Sequence, residues 1–363
     1  MTLAPWPEEE IRSFASIGTG AKDTKDRVTS GKYPFFVRSQ KVERINSWSF
    51  DGEAVLTAGD GVGTGKVFHY IDGKFDYHQR VYRISDFRSD VSGRYFFHQF
   101  SRNFLARIES LTAKSSVDSV RMETIAGMRI PLPERAEQDR IVQAVDDADD
   151  LIATLERLIA KKQAIKQGMM QQLLTGRTRL SGFSSPWKPR RLGDLLTYEQ
   201  PGRYLVSSAD YSDSGIPVLT AGKTFLLGYT TEKNGVFDAV PVIIFDDFTT
   251  ASKFVDFPFK AKSSAMKMLS ARPGVDLRYL YERMQLIEFV AVDHKRRWIA
   301  EYSKIEIDVP DQQEQEAIAT ILDVAQLEIK RLQQRLTKAQ LMKTGMMQQL
   351  LTGRIRLPVE VSS

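Results

Sequence analysis

The sequence predicts an α+β protein: two globular mixed α/β domains separated by two long helices packed as an antiparallel coiled coil, with approximate two-fold symmetry. Three observations carry this. The string GMMQQLLTGR occurs at 168–177 and again at 345–354. Apolar residues ahead of each string follow a 4-3 spacing over several heptads. The stretches before those helices hold short strand-like runs between loops rich in Gly, Thr, Ser, Lys and Arg.

The repeat extends backwards at a constant offset of 177 residues, through Ile130/Ile307, Pro133/Pro310, Glu137/Glu314, Gln138/Gln315, Ile141/Ile318, Ile152/Ile329 and Leu155/Leu332. Forwards it includes Arg179/Arg356. Upstream of Pro133 and Pro310 the copies have drifted, and only scattered pairs such as Trp6/Trp187, Pro34/Pro217 and Asp60/Asp247 align. The pentamer VLTAG at 55–59 and 218–222 breaks that register and reads as coincidence. The chain is therefore variable, constant, variable, constant: domain 1 at 1–133, helix 1 at 134–180, domain 2 at 181–310, helix 2 at 311–357, and a tail at 358–363. A shared partner or scaffold fits the constant parts, and two different targets fit the variable parts.

Each constant element reads as one long helix. Residues 134–175 contain no proline and one glycine. Pro133 and Pro310 suit a helix start. Gly176 and Gly353 suit a left-handed C-terminal cap. Ile152, Leu155, Met169 and Leu173 in the first copy, and Ile329, Leu332, Met346 and Leu350 in the second, lie on the apolar seam and are the candidate partner-binding residues. Leu151, Leu158 and Ile165 widen the stripe, which suggests more than one neighbouring helix. At 1.5 Å per residue such a helix spans roughly 63 Å.

In the variable domains, strand candidates fall at 53–57, 81–84, 242–245 and 305–309. The loop TAGDGVGTGK at 57–66 invites a phosphate-loop reading. Asp60 stands where the first glycine of that motif belongs and Val67 follows Lys66, so the motif fails. Backbone N–H groups at Gly61 and Gly63, with Lys66 beside them, can still approach a phosphate backbone closely. Further candidates in domain 1 are Arg38, Gln40, Lys41, His78 and Arg80. In domain 2 they are Lys223, then Thr249, Thr250, Ser252 and Lys253 of the loop FTTASK, then Lys260 and Lys262. His294, Lys295, Arg296 and Arg297 complete the set in the HKRRW cluster, the densest basic run in the chain. Arg and Lys can bind guanine edges and Gln adenine edges, while Lys, Ser and Thr suit phosphates.

Composition limits the alternatives. The chain has 363 residues, no cysteine and a net charge of +5. Disulfide frameworks and thiolate metal sites are excluded. No run of 18 apolar residues exists, and the acidic, proline-bearing first residues do not resemble a signal peptide, so a cytoplasmic protein without membrane association is expected. The net charges of the four segments are +3, 0, +1 and +1, so no basic tail supplies a nucleic-acid surface and folding must assemble one. Four histidines show no metal-ligand spacing, and no adenine-methylating Asp/Asn-Pro-Pro-aromatic motif is present. Asp246 and Asp247 follow an apolar run, but no convincing nuclease pattern accompanies them. The chain reads as a binder. A coiled-coil scaffold without nucleic-acid binding and a stand-alone DNA-modifying enzyme are the rival classes.

The duplicated plan, the PxxxEQ helix starts at 133–138 and 310–315, and the two QQLLTGR ends resemble the specificity (S) subunit of type I restriction-modification systems. Segments 241–269 and 294–310 look like one class of target-recognition domain in that family. The resemblance implies a non-catalytic subunit of bacterial or archaeal cells that reads a split site on double-stranded DNA, one half per recognition domain. Its helices would act as a ruler between the half-sites and dock two modification (M) subunits, with restriction (R) subunits joining the cleaving form. No cofactor is expected on this chain. S-adenosylmethionine would sit in M, and ATP and magnesium in R.

Overall fold

A computed structural model of the chain describes residues 5–111, 119–222, 224–289 and 297–357. The chain divides into two compact units: Met1–Thr154 with Arg335–Ser363, and Leu155–Gln334.

The sheet of unit 1 grows from strands whose one face is apolar. Its strands are β1 (Glu8–Glu10), β2 (Ser16–Thr19), β3 (Tyr33–Phe36), β4 (Glu43–Ile45), β5 (Phe50–Ala58), β6 (Phe68–Tyr77) and β7 (Val81–Ser85). Helices α1 (Gly93–Leu111) and α2 (Met122–Ala126), strand β8 (Arg129–Pro131) and helix α3 (Arg135–Leu173) follow. Six strands form one sheet in the order β2-β7-β5-β6-β3-β4, and β1 pairs with β8. The Asp72-Gly73 step of β6 reads as a turn in sequence. The strand instead runs through it, because Gly73 faces Gly52 of β5 and both take positive φ angles. Helix α1 lays Tyr95, Phe96, Phe100 and Phe104 against Val55 and Ile84 of the sheet, and these form the core of the unit.

Unit 2 contains β9 (Lys188–Arg191), α4 (Leu192–Leu195), β10 (Leu196–Glu199), β11 (Ile216–Leu219), β12 (Leu226–Thr230) and β13 (Val242–Asp246). After these come β14 (Ser252–Val255), β15 (Lys260–Ala261), β16 (Met266–Ala271), α5 (Leu277–Met284), β17 (Glu306–Val309) and α6 (Gln312–Leu350), of which residues 312–334 belong to unit 2 and the rest to unit 1, as the C-terminal part of α3 belongs to unit 2. The sheet orders are β10-β16-β13-β14 and β12-β11-β15, and β17 pairs with β9. These are the strands of unit 1 in the same order, with β14 and β15 together in the place of β6. Pro258 lies between them, and proline cannot continue a central ladder. β3 and β11 hold matching places, each with one antiparallel and one parallel neighbour. The pentamer VLTAG therefore begins on β5 in one unit and on β11, the counterpart of β3, in the other, so its recurrence does not reflect the duplication.

Within each unit the segments of α3 and α6 run antiparallel. In unit 2, Lys162 pairs with Glu328 at 2.7 Å and Lys166 Nζ donates to Gln326 at 3.0 Å. In unit 1, Lys343 pairs with Asp149, and Ile141 shares a core with Leu350 and Leu351. The 4-3 positions Leu155, Ile159, Ile329 and Leu332 are buried in unit 2, and Ile141, Val145, Ala339 and Leu350 in unit 1. No helix among the described residues is long and apolar enough to cross a membrane.

Candidate nucleic-acid interface

The constant residues at each helix start build a joint. In unit 1, the Glu137 carboxylate accepts from Trp6 Nε1 at 3.2 Å and from Arg356 Nη1 at 3.3 Å, and the Arg356 guanidinium lies over the Trp6 ring. In unit 2, Glu314 accepts from Trp187 Nε1 at 3.1 Å and from Arg179 at 2.7 Å, with Arg179 over the Trp187 ring. Gln138 accepts the Ser92 N–H at 2.8 Å and donates to Pro133 O; Gln315 accepts the Asp276 N–H at 2.9 Å and donates to Pro310 O. Gly353 and Gly176 take φ of +65° and +69°, as a left-handed cap requires, and a Cβ there would press on Trp6 and Trp187. The sequence identity of these positions thus has a direct cause: each anchors a sheet domain to a helix through charge-assisted hydrogen bonds.

Beyond the ends of the equivalent strands β5 and β13, each unit carries an organising aspartate. Asp60 accepts from Arg38 Nη1 at 2.8 Å through one oxygen and from Arg80 Nη1 through the other. Burial raises the pKa of this carboxyl, but the hydrogen bonds from Arg80 and Arg38 outweigh that and hold it below the usual value. Both arginine heads remain exposed. Next to them, Gly61–Gly63 form a 3-10 turn. Gly63 is required there, since a Cβ would lie 2.6 Å from the Arg38 carbonyl. Gln40, Lys41, Gly61 and Lys66 are exposed, and together with Arg38 and Arg80 they form the polar surface of this region.

In unit 2, Asp246 and Asp247 divide the work. Asp246 Oδ1 accepts the N–H groups of Phe248 and Thr249 at 2.9 and 2.8 Å, an Asx turn that fixes the FTTASK loop. Thr250 sits at φ +58°. Asp247 is 1% exposed; its carboxylate pairs with buried Lys267 at 2.8 Å and accepts the Trp298 N–H at 2.8 Å. Its carbonyl accepts the Arg297 N–H at 2.8 Å. The acidic pair is thus committed to protein partners. Thr249, Lys253 and Lys262 are exposed and Thr250 is half-buried. In the sequence Asp247 stands out only as the repeat partner of Asp60 and as half of an acidic pair; the two hydroxyl residues soon after Asp246 are what signal the turn.

Five expected contact residues face inward instead. His78 is buried, its Nδ1 accepts the Arg80 N–H, and burial with nearby Arg38 lowers its pKa. Gly63 is buried under Arg38. Ser252 accepts from Gln285 Nε2 at 2.9 Å. Lys260 is buried and spent on Glu232 and the Asn234 carbonyl. Arg297 is buried, pairing with Glu301 at 3.0 Å. The four polar ones among them satisfy partners inside the fold, and Gly63 is there for want of room for a Cβ. Lys223, His294, Lys295 and Arg296 lie outside the described residues. The candidate partner-binding residues also need correction. Leu155, Leu173, Ile329, Leu332 and Leu350 are buried in the chain's own cores, while Ile152, Met169 and Met346 are half-buried. The large apolar side chains left exposed on these helices are Leu151, Leu341 and Met342 in unit 1, and Ile165, Val324 and Leu327 in unit 2.

A family model described as the type I restriction modification DNA specificity domain matches the chain twice, over residues 4–167 and 184–340. The chain belongs to this family. Each specificity-domain match takes in one sheet domain and most of the helix that follows it. The chain is 52% identical over 158 residues to the EcoR124I/EcoR124II specificity subunit of Escherichia coli, covering 40% of this chain and 39% of that protein. It is 30% identical over 162 residues to the EcoDI specificity subunit of the same organism, covering 45% and 34%. The chain thus spans only about a third to two fifths of the length of these relatives. Its fold matches the S subunit of a type I restriction-modification system from M. genitalium, with a TM-score of 0.66 at 15% identity over 95% of this chain and 96% of that one. The HsdS subunit from Thermoanaerobacter tengcongensis follows at 0.50 and 16%, over 98% of each chain.

Proposed function

We propose that this chain is the sequence-reading, non-catalytic subunit of a type I restriction-modification complex in the cytoplasm. Each of its two recognition domains, 1–133 and 181–310, reads one half of a split duplex site. The observation that carries this reading is the pairing of two specificity-domain matches with unlike loops on like joints. The Arg38–Asp60–Arg80 clamp presents two guanidinium groups whose fork suits guanine O6 and N7 or phosphate oxygens. The FTTASK loop offers Thr249, Thr250 and Lys253, which suit the backbone. Lys223, His294, Lys295 and Arg296 stay in the proposed contact set on sequence grounds. Two M subunits dock on the exposed apolar helix positions, carrying S-adenosylmethionine for adenine methylation of a flipped base. R subunits bring ATP and magnesium. This chain supplies neither cofactor nor catalytic group.

The test is a domain exchange. Replacing residues 181–310 with the recognition domain of another S subunit, in the assembled methylase, should change one half of the methylated site and leave the other intact. A change in both halves, or in neither, contradicts the reading. Binding should also weaken steeply with salt, as phosphate contacts demand.

A further inference from the structure

The most exposed large apolar side chain of the described residues is Val62, at 98%. Its position is built. Gly61 and Gly65 take φ of +75° and +68°, and Gly63 lies against the Arg38 carbonyl where no Cβ fits. Thr64 N–H donates to Gly61 O and Val67 N–H to Gly63 O, at 3.0 and 2.9 Å. Three glycines and three hydrogen bonds, the third from Lys66 N–H to Gly63 O, fix this turn, and its one non-glycine apex residue points wholly into solvent. Polar residues are the usual choice for such an apex, because they can bond the turn or the water. Arg38 borders it: a Cβ on Gly61 would come 3.9 Å from Arg38 Nη1, the atom held by Asp60. A cleft of about 420 Å³ opens beside the apex, lined by Arg27, Arg38, Ser39 and Val62 among others. In unit 2, Phe248, directly after Asp247, is partly exposed at 39% on a turn of different build.

We infer that Val62 is a specificity-determining residue of the first recognition domain, contacting the C5-methyl group of a thymine in the major groove. This rests on the DNA-reading function proposed above. The major groove offers one apolar feature, the thymine methyl, and apolar groups such as Ala, the Thr methyl and Phe recognise it. Wedges that unstack base steps are typically longer, such as Phe, Leu, Ile or Met, whereas valine ends one carbon beyond Cβ. The flanking arginines hold the phosphates or a neighbouring guanine, and the fixed turn sets the depth to which the methyl groups reach.

The test uses the full chain assembled with its modification subunits, and pools of duplex DNA randomised in both half-sites. Wild type should select a thymine at one or more positions of one half-site. Deoxyuridine at the contacted position should weaken binding roughly threefold to tenfold, about the worth of one buried methyl group. Val62→Ser should lose that preference and become indifferent to deoxyuridine, with the other half-site unchanged, while Val62→Ile should keep both properties. If Val62→Ser selects the same bases and keeps the deoxyuridine penalty, the valine assignment is wrong although the DNA-reading function stands. If wild type selects no sequence in either half, the reading of the whole chain as a specificity subunit fails with it.

Discussion

Asp60 and Asp247 occupy matching places beyond the ends of equivalent strands, yet they do opposite things. Asp60 lies near the surface and holds two arginine side chains whose heads stay in water. Asp247 is interior, neutralised by a lysine that is itself 1% exposed, and it ties down the backbone of a distant segment through Arg297 and Trp298. One domain organises its surface by fixing side chains, the other by fixing chain segments. A shared sheet therefore permits unlike recognition surfaces: the slot is inherited, and its electrostatics are not.

The largest expected effect separates the two aspartates. Asp247→Ala strands Lys267 as an uncompensated buried charge and should destabilise unit 2 by about 3–5 kcal/mol. Adding Lys267→Met should restore much of that loss. Asp60→Ala should leave unfolding in urea nearly unchanged, because its partners reach solvent. Equal losses from the two aspartate variants would erase the contrast.

Acid should sharpen the contrast at the level of whole units. His98, on α1, is pushed down to about 4 by burial, and burial also lowers His69 and His78. These side chains are neutral in the native state, while the unfolded chain takes up protons below about pH 6.5. Stability of unit 1 should therefore fall as pH drops from about 6.5 to about 4, by about 3 kcal/mol for His98. Among the described residues unit 2 contains no histidine. Its pairing of Glu232, lowered to about 2 first by Lys260 and then by the Ser208 and Ser207 N–H groups, is lost only as pH falls below about 4.5. Urea unfolding near pH 7 and near pH 5, followed by hydrogen exchange in α1 and in β13, would read the two separately. Parallel loss in both units near pH 5 would contradict the assignment.

The smallest effect on stability belongs to the helices. Leu341→Gln with Met342→Gln should shift stability by less than about 0.5 kcal/mol, since both side chains are exposed and Gln is a good helix former. The same pair should weaken co-purification with M subunits. A stable chain that still assembles at full strength would remove this face from the proposed docking surface.

The helices were legible because a 4-3 apolar spacing and a long identical block leave little choice of structure. The strands at 81–84 and 242–245 were legible as β-branched and aromatic runs and match β7 and β13. Helix α1 was not picked out as a long element: its phenylalanines serve one domain's core and have no counterpart in the shorter α5. β6 was not among the strand candidates: its run is broken by Gly73, which is held in the strand by facing Gly52 of β5. At the candidate interface, residue type located the loops but not the direction of the side chains. Lys260 and Arg297 look like contact residues until Glu232 and Glu301 are placed beside them. Val62 gives no signal in the sequence, because a valine between glycines carries neither charge nor hydrogen-bonding group.

The Trp–Glu–Arg joint has an evolutionary consequence. A recognition domain that brings the tryptophan, followed by a helix start with the glutamate and glutamine, finds in either unit a tail arginine ready to receive it. On the DNA-reading function proposed above, gene fragments cut within the helices could then be traded between such proteins and still close properly, giving a new target sequence without a new scaffold.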